Sequence, residues 1–435
     1  MGEVIRASIF HTPENPFRDP SALQVFEDGG LLVEGGIIGA LGDYSEIRRD
    51  YPHSTVRDLR GGYLLPGFVD THVHYPQVRV LGGLGYTLLD WLDLRALPEE
   101  ARLADPAYAR QVAREFLHSL ASHGTTTALV FGSHFAAAME VFFDAAAASG
   151  LRIASGMVMS DRRLLPALHQ TPDAAYRRSA ELIRNYHGKR GLMYAVTPRF
   201  ALSTSEAMLE VCQSLLRETP GVRFQTHINE SPLEVREVAR LFPWASDYLA
   251  VYERFALAGR RSVLAHNVHP ADGELERLAG GGAAVSHCPC SNAALGSGIF
   301  PMQRHLTAGV RFALGTDVGG GTGFGMLKEA LQAYLVQRVA AERVMLNSAQ
   351  LLYLATRAGA EALGVAGETG DLQPGKSADY VYLRPIAGSP LAIVAAHAEK
   401  AEDLLSALFT LAGQESIGEV CVRGKVVYAA SASCE

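Results

Sequence analysis

Cysteine is scarce in this sequence. The chain of 435 residues contains five cysteines, an odd number, and they are scattered: Cys212, Cys288, Cys290, Cys421 and Cys434. Such a set excludes the dense disulfide framework of a small secreted domain. We therefore expect a reducing compartment, with the cytoplasm as the default location.

Long apolar runs and basic clusters are also missing. No stretch approaches the length of a transmembrane helix, and MGEVIRASIFHTPENP at the start lacks the basic and apolar regions of a secretory signal. The net charge is −7, and no basic stretch is interleaved with aromatic residues. These features argue against membranes and nucleic acids as partners. Apolar residues make up 48% of the chain, which is ample for a large core.

Apolar strand-like runs alternate with helix-like segments through the middle of the chain. Eight such runs can be counted: GFVDTHVH (67–74), TTTALVFG (125–132), RIASGMVMS (152–160), LMYAVTPR (192–199), VRFQTHIN (222–229), SVLAHNVH (262–269), AAVSHCPC (283–290) and RFALGTD (311–317). Near-continuous apolar strands are typical of parallel sheets, which are covered on both faces. The count of eight favours an α/β fold with a (β/α)8 barrel over a doubly wound open sheet.

Both ends of the chain are rich in short strands broken by glycines. We expect them to pair into a small β-sandwich domain made of residues 1–64 plus 378–435, with the barrel in residues 65–377. The long connection over residues 75–105 is a candidate lid or wall over the site.

Histidines and an aspartate stand at the ends of four predicted barrel strands, where the catalytic groups of such barrels lie. His72 and His74 in DTHVHYPQ are two residues apart, so an extended chain points both to one side. That pair alone is equally consistent with an ordinary polar strand end. His227, His266 and Asp317 end three further strands. Three imidazole nitrogens and one carboxylate, with a position left for water, are typical of an open catalytic metal site.

Glu230 follows His227 by three residues, just past the predicted strand end. A bound metal lowers the pKa of water from 15.7 to roughly 7, and a hydroxide that attacks an sp² carbon needs a proton carrier. Glu230 is placed to be that carrier. Taken alone, it is also consistent with a carboxylate at the start of a helix.

Six stretches resemble the amidohydrolase superfamily and, more narrowly, its guanine deaminase family: PGFVDTHVHYPQ (66–77), TPRFALST (197–204), QTHINE (225–230), HCPCSN (287–292), LGSGIF (295–300) and GTDVGGGTGFGML (315–327). The two histidines and the strand-eight aspartate define only the superfamily, whereas HxHYPQ, TPRF and GTDVGGGT are more specific. The resemblance implies a zinc-dependent homodimeric hydrolase that converts guanine to xanthine and ammonia.

The resemblance also implies roles for matching residues. One zinc ion per chain, with Fe²⁺ as an alternative, would be held by His72, His74, His227 and Asp317. His266 would hydrogen-bond the attacking water, Glu230 would move a proton to a ring nitrogen, and Asp317 would help to protonate the leaving ammonia. The substrate would contact His74, Gln77, Arg199, Phe200, His227 and Glu230. Among these, Gln77 would contact the purine edge, Arg199 the carbonyl side and Phe200 the ring face.

Two other patterns are weaker. Cys290 stands where the family pattern carries a small hydroxyl residue, which suggests a tighter pocket wall; a structural zinc site with Cys288 lacks a second pair of ligands. GDLQPGKS (370–377) matches the phosphate-loop pattern but precedes a strand, and Pro374 removes a backbone donor. We therefore do not expect nucleotide hydrolysis.

Three alternative functions remain. The same metal site could deaminate a related ring such as 8-oxoguanine, a pterin or a triazine. Dinuclear cyclic-amide hydrolysis usually needs a modified lysine on strand four, and LMYAVTPRF has none. A non-catalytic barrel would not need Glu230 and Asp317, and both are present.

Overall fold

The computed structural model of the chain describes residues 2–81 and 84–430. Its strands are β1 (Glu3–His11), β2 (Gln24–Glu34), β3 (Ile37–Asp43), β4 (Thr55–Pro66), β5 (Phe68–His74), β6 (Thr125–Phe131), β7 (Arg152–Gly156), β8 (Val158–Met159), β9 (Leu192–Pro198), β10 (Arg223–Ile228), β11 (Ser262–His266), β12 (Ala284–His287), β13 (Arg311–Leu314), β14 (Tyr380–Leu383), β15 (Ile417–Val422) and β16 (Lys425–Ala429).

The α-helices are α1 (Tyr44–Asp50), α2 (Leu88–Trp91), α3 (Leu97–Ala101), α4 (Pro106–Ser122), α5 (Ala136–Ser149), α6 (Pro172–Tyr186), α7 (Glu206–Glu218), α8 (Pro232–Leu241), α9 (Tyr248–Arg254), α10 (Glu274–Gly281), α11 (Pro289–Ala294), α12 (Met302–Ala308), α13 (Met326–Val339), α14 (Ser348–Ala355), α15 (Arg357–Ala362), α16 (Pro390–Ala395) and α17 (Ala401–Leu411). Short 3₁₀ turns occupy Tyr75–Val80, Arg102–Ala104, Pro166–Leu168, Ala201–Ser203 and Gln414–Ser416, and a π turn occupies Leu92–Ala96.

The barrel sheet has the order β13-β12-β11-β10-β9-β7-β6-β5, and each pair of neighbours is parallel. Its two ends meet at the carboxyl end of the strands. There the Asp317 backbone N–H donates to the His72 carbonyl and the His74 N–H donates to the Val318 carbonyl, both at 2.8 Å. The eight strands coincide with the eight predicted runs, which confirms the α/β barrel.

One predicted run is divided into two strands. RIASGMVMS contains β7 and β8, which both pair with β9 but are separated at Met157. The backbones of β7 and β9 approach closely here. A Cβ atom at Gly156 would lie only 1.8 Å from the Ala195 carbonyl oxygen. Glycine is therefore needed at this position.

The terminal strands form a second sheet with the order β16-β15-β14-β4-β1-β2-β3. The two chain ends meet where β14 lies antiparallel to β4, with Val381 opposite Leu65. Gly67 alone separates β4 from β5, so the chain enters the barrel directly from this sheet.

We propose the domain division predicted from the sequence, residues 1–64 plus 378–435 against residues 65–377. Met1 and residues 431–435, including Cys434, lie outside the described residues. Within the C-terminal part, α17 packs against the barrel helices α13 and α14, and the Ser348 hydroxyl donates to the Glu402 carbonyl at 3.2 Å. The excursion between β14 and β15 is thus packed on the barrel.

One end of the barrel is filled by apolar side chains, and the other end is polar. Six strands contribute to an apolar cluster with Ala360 and Leu363, which lie in and just after α15: Val69, Leu129, Ala154, Ala195, Val263 and Ala284. The polar residues predicted for the site lie at the opposite, carboxyl ends of the strands. None of the helices in the described residues combines the length and apolar character that a membrane crossing requires.

Candidate active site

Four predicted metal ligands converge at the carboxyl end of the barrel. His72 and His74 belong to β5, His227 belongs to β10, and Asp317 follows β13. Their ligand atoms all lie within 4.8 Å of one another. The Nε2 atoms of His72 and His74 are 3.2 Å apart, and each lies 3.2 Å from Asp317 Oδ1. Strands distant in sequence therefore present three nitrogens and one carboxylate to a single point.

Hydrogen bonds fix the orientation of these ligands. Nδ1 of His227 lies 2.6 Å from the Arg199 carbonyl, which only accepts, so this nitrogen carries the proton and Nε2 is left free to bind a metal. Asp70 ties the two edges of the barrel together: its carboxylate accepts from the His72 N–H at 3.1 Å and from the Thr316 N–H at 3.0 Å. Both arrangements restrict the ligands before any ion binds.

Burial keeps the imidazoles neutral. Removal from water lowers the pKa of His72 to about 3, and it also lowers the pKa values of His74 and His227. For Asp317 burial acts in the opposite sense, but its interactions with His72 and His74 outweigh burial and hold its pKa well below the usual range. Neutral imidazoles and an ionised carboxylate are the forms that bind metal ions.

Glu230 and His266 lie beside the ligand group. Glu230 Oε2 is 3.4 Å from His266 Nε2, which is itself 3.8 Å from Asp317 Oδ2. Burial, followed by the negative charge of Asp317, raises the pKa of Glu230 well above its ordinary value. A carboxyl group with a raised pKa is suited to exchange protons with a reacting group.

Asn292 determines which nitrogen of His266 faces the site. Its side-chain oxygen lies 2.9 Å from His266 Nδ1 and can only accept, so Nδ1 carries the proton. Nε2 of His266 then faces Glu230 and Asp317. The backbone of Glu230 is held in turn by Glu234, whose carboxylate accepts from the Glu230 N–H at 2.9 Å.

Several site residues have strained backbones. His266 and Asp317 adopt φ angles of 74° and 48°, in the left-handed region that favours glycine. Asn229 and Asn267 share this conformation, and the Asn229 amide donates to the Asn267 side-chain oxygen at 2.9 Å. Such strain persists only where surrounding contacts hold it, and it is common at functional sites.

A cavity opens from the ligand group at the carboxyl end of the barrel. The lining residues are His74, Gln77, Leu88, Trp91, Leu92, Arg199, Phe200, His227, Glu230, Leu295, Asp317 and Gly320. Leu88, Trp91 and Leu92 come from the 75–105 connection, which is therefore confirmed as a wall of the site.

Arg199 and Gln77 are polar residues that line the same cavity, and both contact Glu100. Nη1 of Arg199 donates to both carboxylate oxygens of Glu100 at 2.8 Å, and Nε2 of Gln77 donates to Glu100 Oε1 at 2.7 Å. The ring of Phe200 lies 6.1 Å from that of His227, centroid to centroid. The structure thus places all the predicted substrate-contact residues around one cavity.

Comparison with known proteins identifies the family. Residues 63–427, most of the chain, match the model of the amidohydrolase family. The chain belongs to the amidohydrolase family. It is 58% identical over 436 aligned residues to the probable guanine deaminase of Deinococcus radiodurans, with 99% of each chain covered.

Solved structures of this family are also similar. Escherichia coli guanine deaminase superposes on this amidohydrolase with a TM-score of 0.95 and 36% identity, covering 99% of this chain and 100% of the other. Guanine deaminase from Bradyrhizobium japonicum gives a TM-score of 0.94 and 34% identity, again covering 99% and 100%.

The interpretation of Cys290 as a pocket wall is wrong for this amidohydrolase. Cys290 is not among the residues lining the cavity, and the metal-ligand group contains neither Cys288 nor Cys290. HCPCSN turns into α11, which packs against α13, so the Cys290 N–H donates to the buried Glu329 carboxyl at 3.1 Å. The departure from the family pattern therefore lies behind the site.

Sequence reasoning missed Glu100, Trp91 and Asn292. Glu100 is 23 residues from Gln77 and 99 from Arg199, so no local pattern links them. Asn292 lies within HCPCSN, and its position in that stretch was the available signal. In this amidohydrolase, these three residues orient or enclose the predicted ones.

Proposed function

We propose that this protein catalyses the hydrolytic deamination of guanine: guanine and water give xanthine and ammonia. The observation that carries the proposal is the meeting, on one cavity, of the metal-ligand group with Arg199 and Gln77. Relatives named guanine deaminase, at 58% and 36% identity over nearly the whole chain, support the same reaction.

We propose zinc as the metal, one ion per chain. The donors His72, His74, His227 and Asp317 fit it, since zinc takes imidazole nitrogen and carboxylate oxygen and keeps a position open in catalytic sites. Fe²⁺ accepts similar donors, and metal analysis of the purified protein decides between them. A divalent ion held here would supply hydroxide from water near neutral pH.

The residues around the ligands handle the protons. Glu230 takes a proton from the attacking water and transfers it to the ring nitrogen next to the carbon under attack. His266 hydrogen-bonds the incoming oxygen through Nε2, because Asn292 occupies Nδ1. Asp317 helps to deliver the second proton to the departing amine, so that ammonia leaves as the C–N bond breaks.

The other side of the cavity holds the ring. Arg199 and Gln77 donate hydrogen bonds to the carbonyl edge of guanine, and Phe200 packs against the ring. Trp91, only 3% exposed, closes the cavity from the 75–105 connection and limits access of water.

Purified protein, with and without prior chelation, should be incubated with guanine, adenine, cytosine, 8-oxoguanine and a pterin while ammonia release is followed. We expect turnover of guanine that is lost on chelation and restored by zinc. Preference for another ring would keep the chemistry and overturn the substrate. No ammonia from any ring in the zinc-loaded protein would overturn the deaminase itself.

A matched pair of variants tests the proton carrier. Glu230→Gln should lower kcat for guanine by a factor of roughly 10²–10⁴ with the metal content unchanged. Glu237→Gln, at a partly exposed position in α8, is the control and should retain wild-type activity. Full activity of Glu230→Gln would contradict the role of Glu230.

We also propose that the protein is a cytoplasmic homodimer. Cys212, Cys288, Cys290 and Cys421 are free and buried, which is compatible with a reducing compartment. Exposed apolar side chains on α13 and α16, such as Val339 and Ile393, offer surface that a second copy would cover. Sedimentation velocity should show a single species of twice the chain mass.

A further inference from the structure

Gln77 is held in one orientation by contacts at both ends of its amide. Its Oε1 accepts from the Gly319 backbone N–H at 3.1 Å, and its Nε2 donates to Glu100 Oε1 at 2.7 Å. A backbone N–H only donates and a carboxylate only accepts, so the amide does not turn over without losing both bonds. Gln77 therefore offers the cavity its remaining N–H.

Arg199 is oriented by the same carboxylate. Its Nη1 donates to both oxygens of Glu100 at 2.8 Å, and both side chains are almost fully buried. The guanidinium has five N–H donors and no acceptor, so the groups that remain are again donors. Glu100 thus neutralises the arginine charge, and it occupies Nη1 of Arg199 and one N–H group of Gln77.

We propose that Glu100 is a specificity-determining positioning residue, which makes the Gln77–Arg199 side of the cavity a donor-only edge that selects 6-oxo over 6-amino purines. This inference rests on the proposed function to the extent that the substrate is a purine. Glu100 does not line the cavity and acts through the two residues that do.

Ring chemistry explains the selection. A 6-oxopurine presents two acceptors, O6 and N7, along one edge, whereas adenine replaces the first with an amino donor. An amino group against a donor-only edge leaves buried N–H groups unpaired, and a site built for hydrogen bonding rejects such a ring strongly.

Binding can be measured without turnover. Hypoxanthine has the 6-oxo group and lacks the 2-amino group that guanine loses. Calorimetric titration of the metal-loaded, full-length protein should show hypoxanthine binding at least about tenfold more tightly than adenine, as expected for hydrogen bonds with a charged partner. Equal binding of the two rings by the wild type would overturn the donor-only edge.

The Glu100→Gln variant should reduce that preference to near unity. A glutamine at this position has a single acceptor oxygen. Its amino group faces Arg199 Nη1 alone in the place of Oε2, and both Arg199 Nη1 and Gln77 Nε2 in the place of Oε1, donor against donor. In either case Arg199 loses at least one of its two hydrogen bonds to residue 100 and the negative charge beside it, and it is free to turn. The control is Glu99→Gln: Glu99 is also buried but contacts Tyr108 and Arg102 instead, so the preference should persist.

An exchange variant separates polarity from structural support. Combining Glu100→Gln with Gln77→Glu keeps the total charge and the hydrogen bond between the two positions. It also presents carboxylate oxygen to the substrate in place of N–H. We expect the ring preference to shift toward adenine, even if Glu100→Gln alone proves unstable. A hypoxanthine preference that survives in a folded Glu100→Gln or exchange variant would overturn the role of Glu100.

The two proposals fail in different ways. If the wild type releases no ammonia from guanine, the proposed function is wrong, while the ratio of hypoxanthine to adenine binding still tests Glu100. If guanine is deaminated and the ratio does not respond to Glu100→Gln, only the assignment of Glu100 is wrong.

Discussion

Replacing Glu329 with glutamine removes a carboxyl group from the interior behind the active site. Glu329 is 1% exposed and lies on α13, where it accepts a hydrogen bond from the Cys290 N–H at 3.1 Å. It forms no salt bridge with any residue in 2–81 or 84–430. A buried carboxyl group in this position resists ionisation. A neutral amide of the same shape has no charged form and so no such conflict with burial.

The magnitude follows from the pKa. Burial raises the pKa of Glu329 from 4.5 to about 8. In the unfolded chain the group ionises above pH 4.5, so stability is lost as the pH rises from 4.5 to 8. At 1.36 kcal/mol per pH unit, this loss is about 3 kcal/mol at pH 7 and about 1 kcal/mol at pH 5. Glu329→Gln should therefore raise the free energy of unfolding, and by more at pH 7.

The assay is denaturant unfolding of the metal-loaded wild type and Glu329→Gln at pH 5 and pH 7. Glu342→Gln, at an exposed position, is the control and should change stability by less than about 0.5 kcal/mol at either pH. Activity should be retained, because the glutamine oxygen can still accept from Cys290 and hold α11. A variant that is less stable than the wild type at pH 7, or equally shifted at both pH values, would refute the reasoning.

Three further predictions concern other parts of the molecule. Burial lowers the pKa of His11 from 6.5 to about 4. As the pH falls from 6.5 to 4, the free energy of unfolding should therefore decrease by up to about 3 kcal/mol more in the wild type than in His11→Gln. The pH dependence of Tm in the two proteins measures this difference. Asn292→Ala frees Nδ1 of His266 and should lower kcat roughly 10–100-fold with the metal content unchanged, measured by steady-state kinetics and metal analysis. Trp91→Ala opens the cavity wall and should raise KM for guanine about tenfold or more from lost apolar contact, with Tm as the control for folding.

The strand pattern of the sequence determined the barrel and the location of its chemistry. Parallel strands buried on both faces show up as apolar runs, and polar residues at their ends stand out against that background. The metal ligands could be predicted for this reason: His72 and His74 alternate in one strand, and His227 and Asp317 each end another. The separation of β7 and β8 at Met157 and the packing of α17 on the barrel have no comparable local signal.

The orientation of the site was decided only by the tertiary structure. Glu100 lies in the 75–105 connection, whose path over the barrel mouth brings it to Arg199 and Gln77. Asn292 reaches His266 across 26 positions in the chain. Local periodicity reports which face of an element is buried, whereas these contacts depend on how separate elements approach one another. The cluster of three histidines and one aspartate could therefore be predicted from the sequence, whereas the contacts of Glu100 and Asn292, to which we assign roles in orienting substrate and protons, depend on the folded chain.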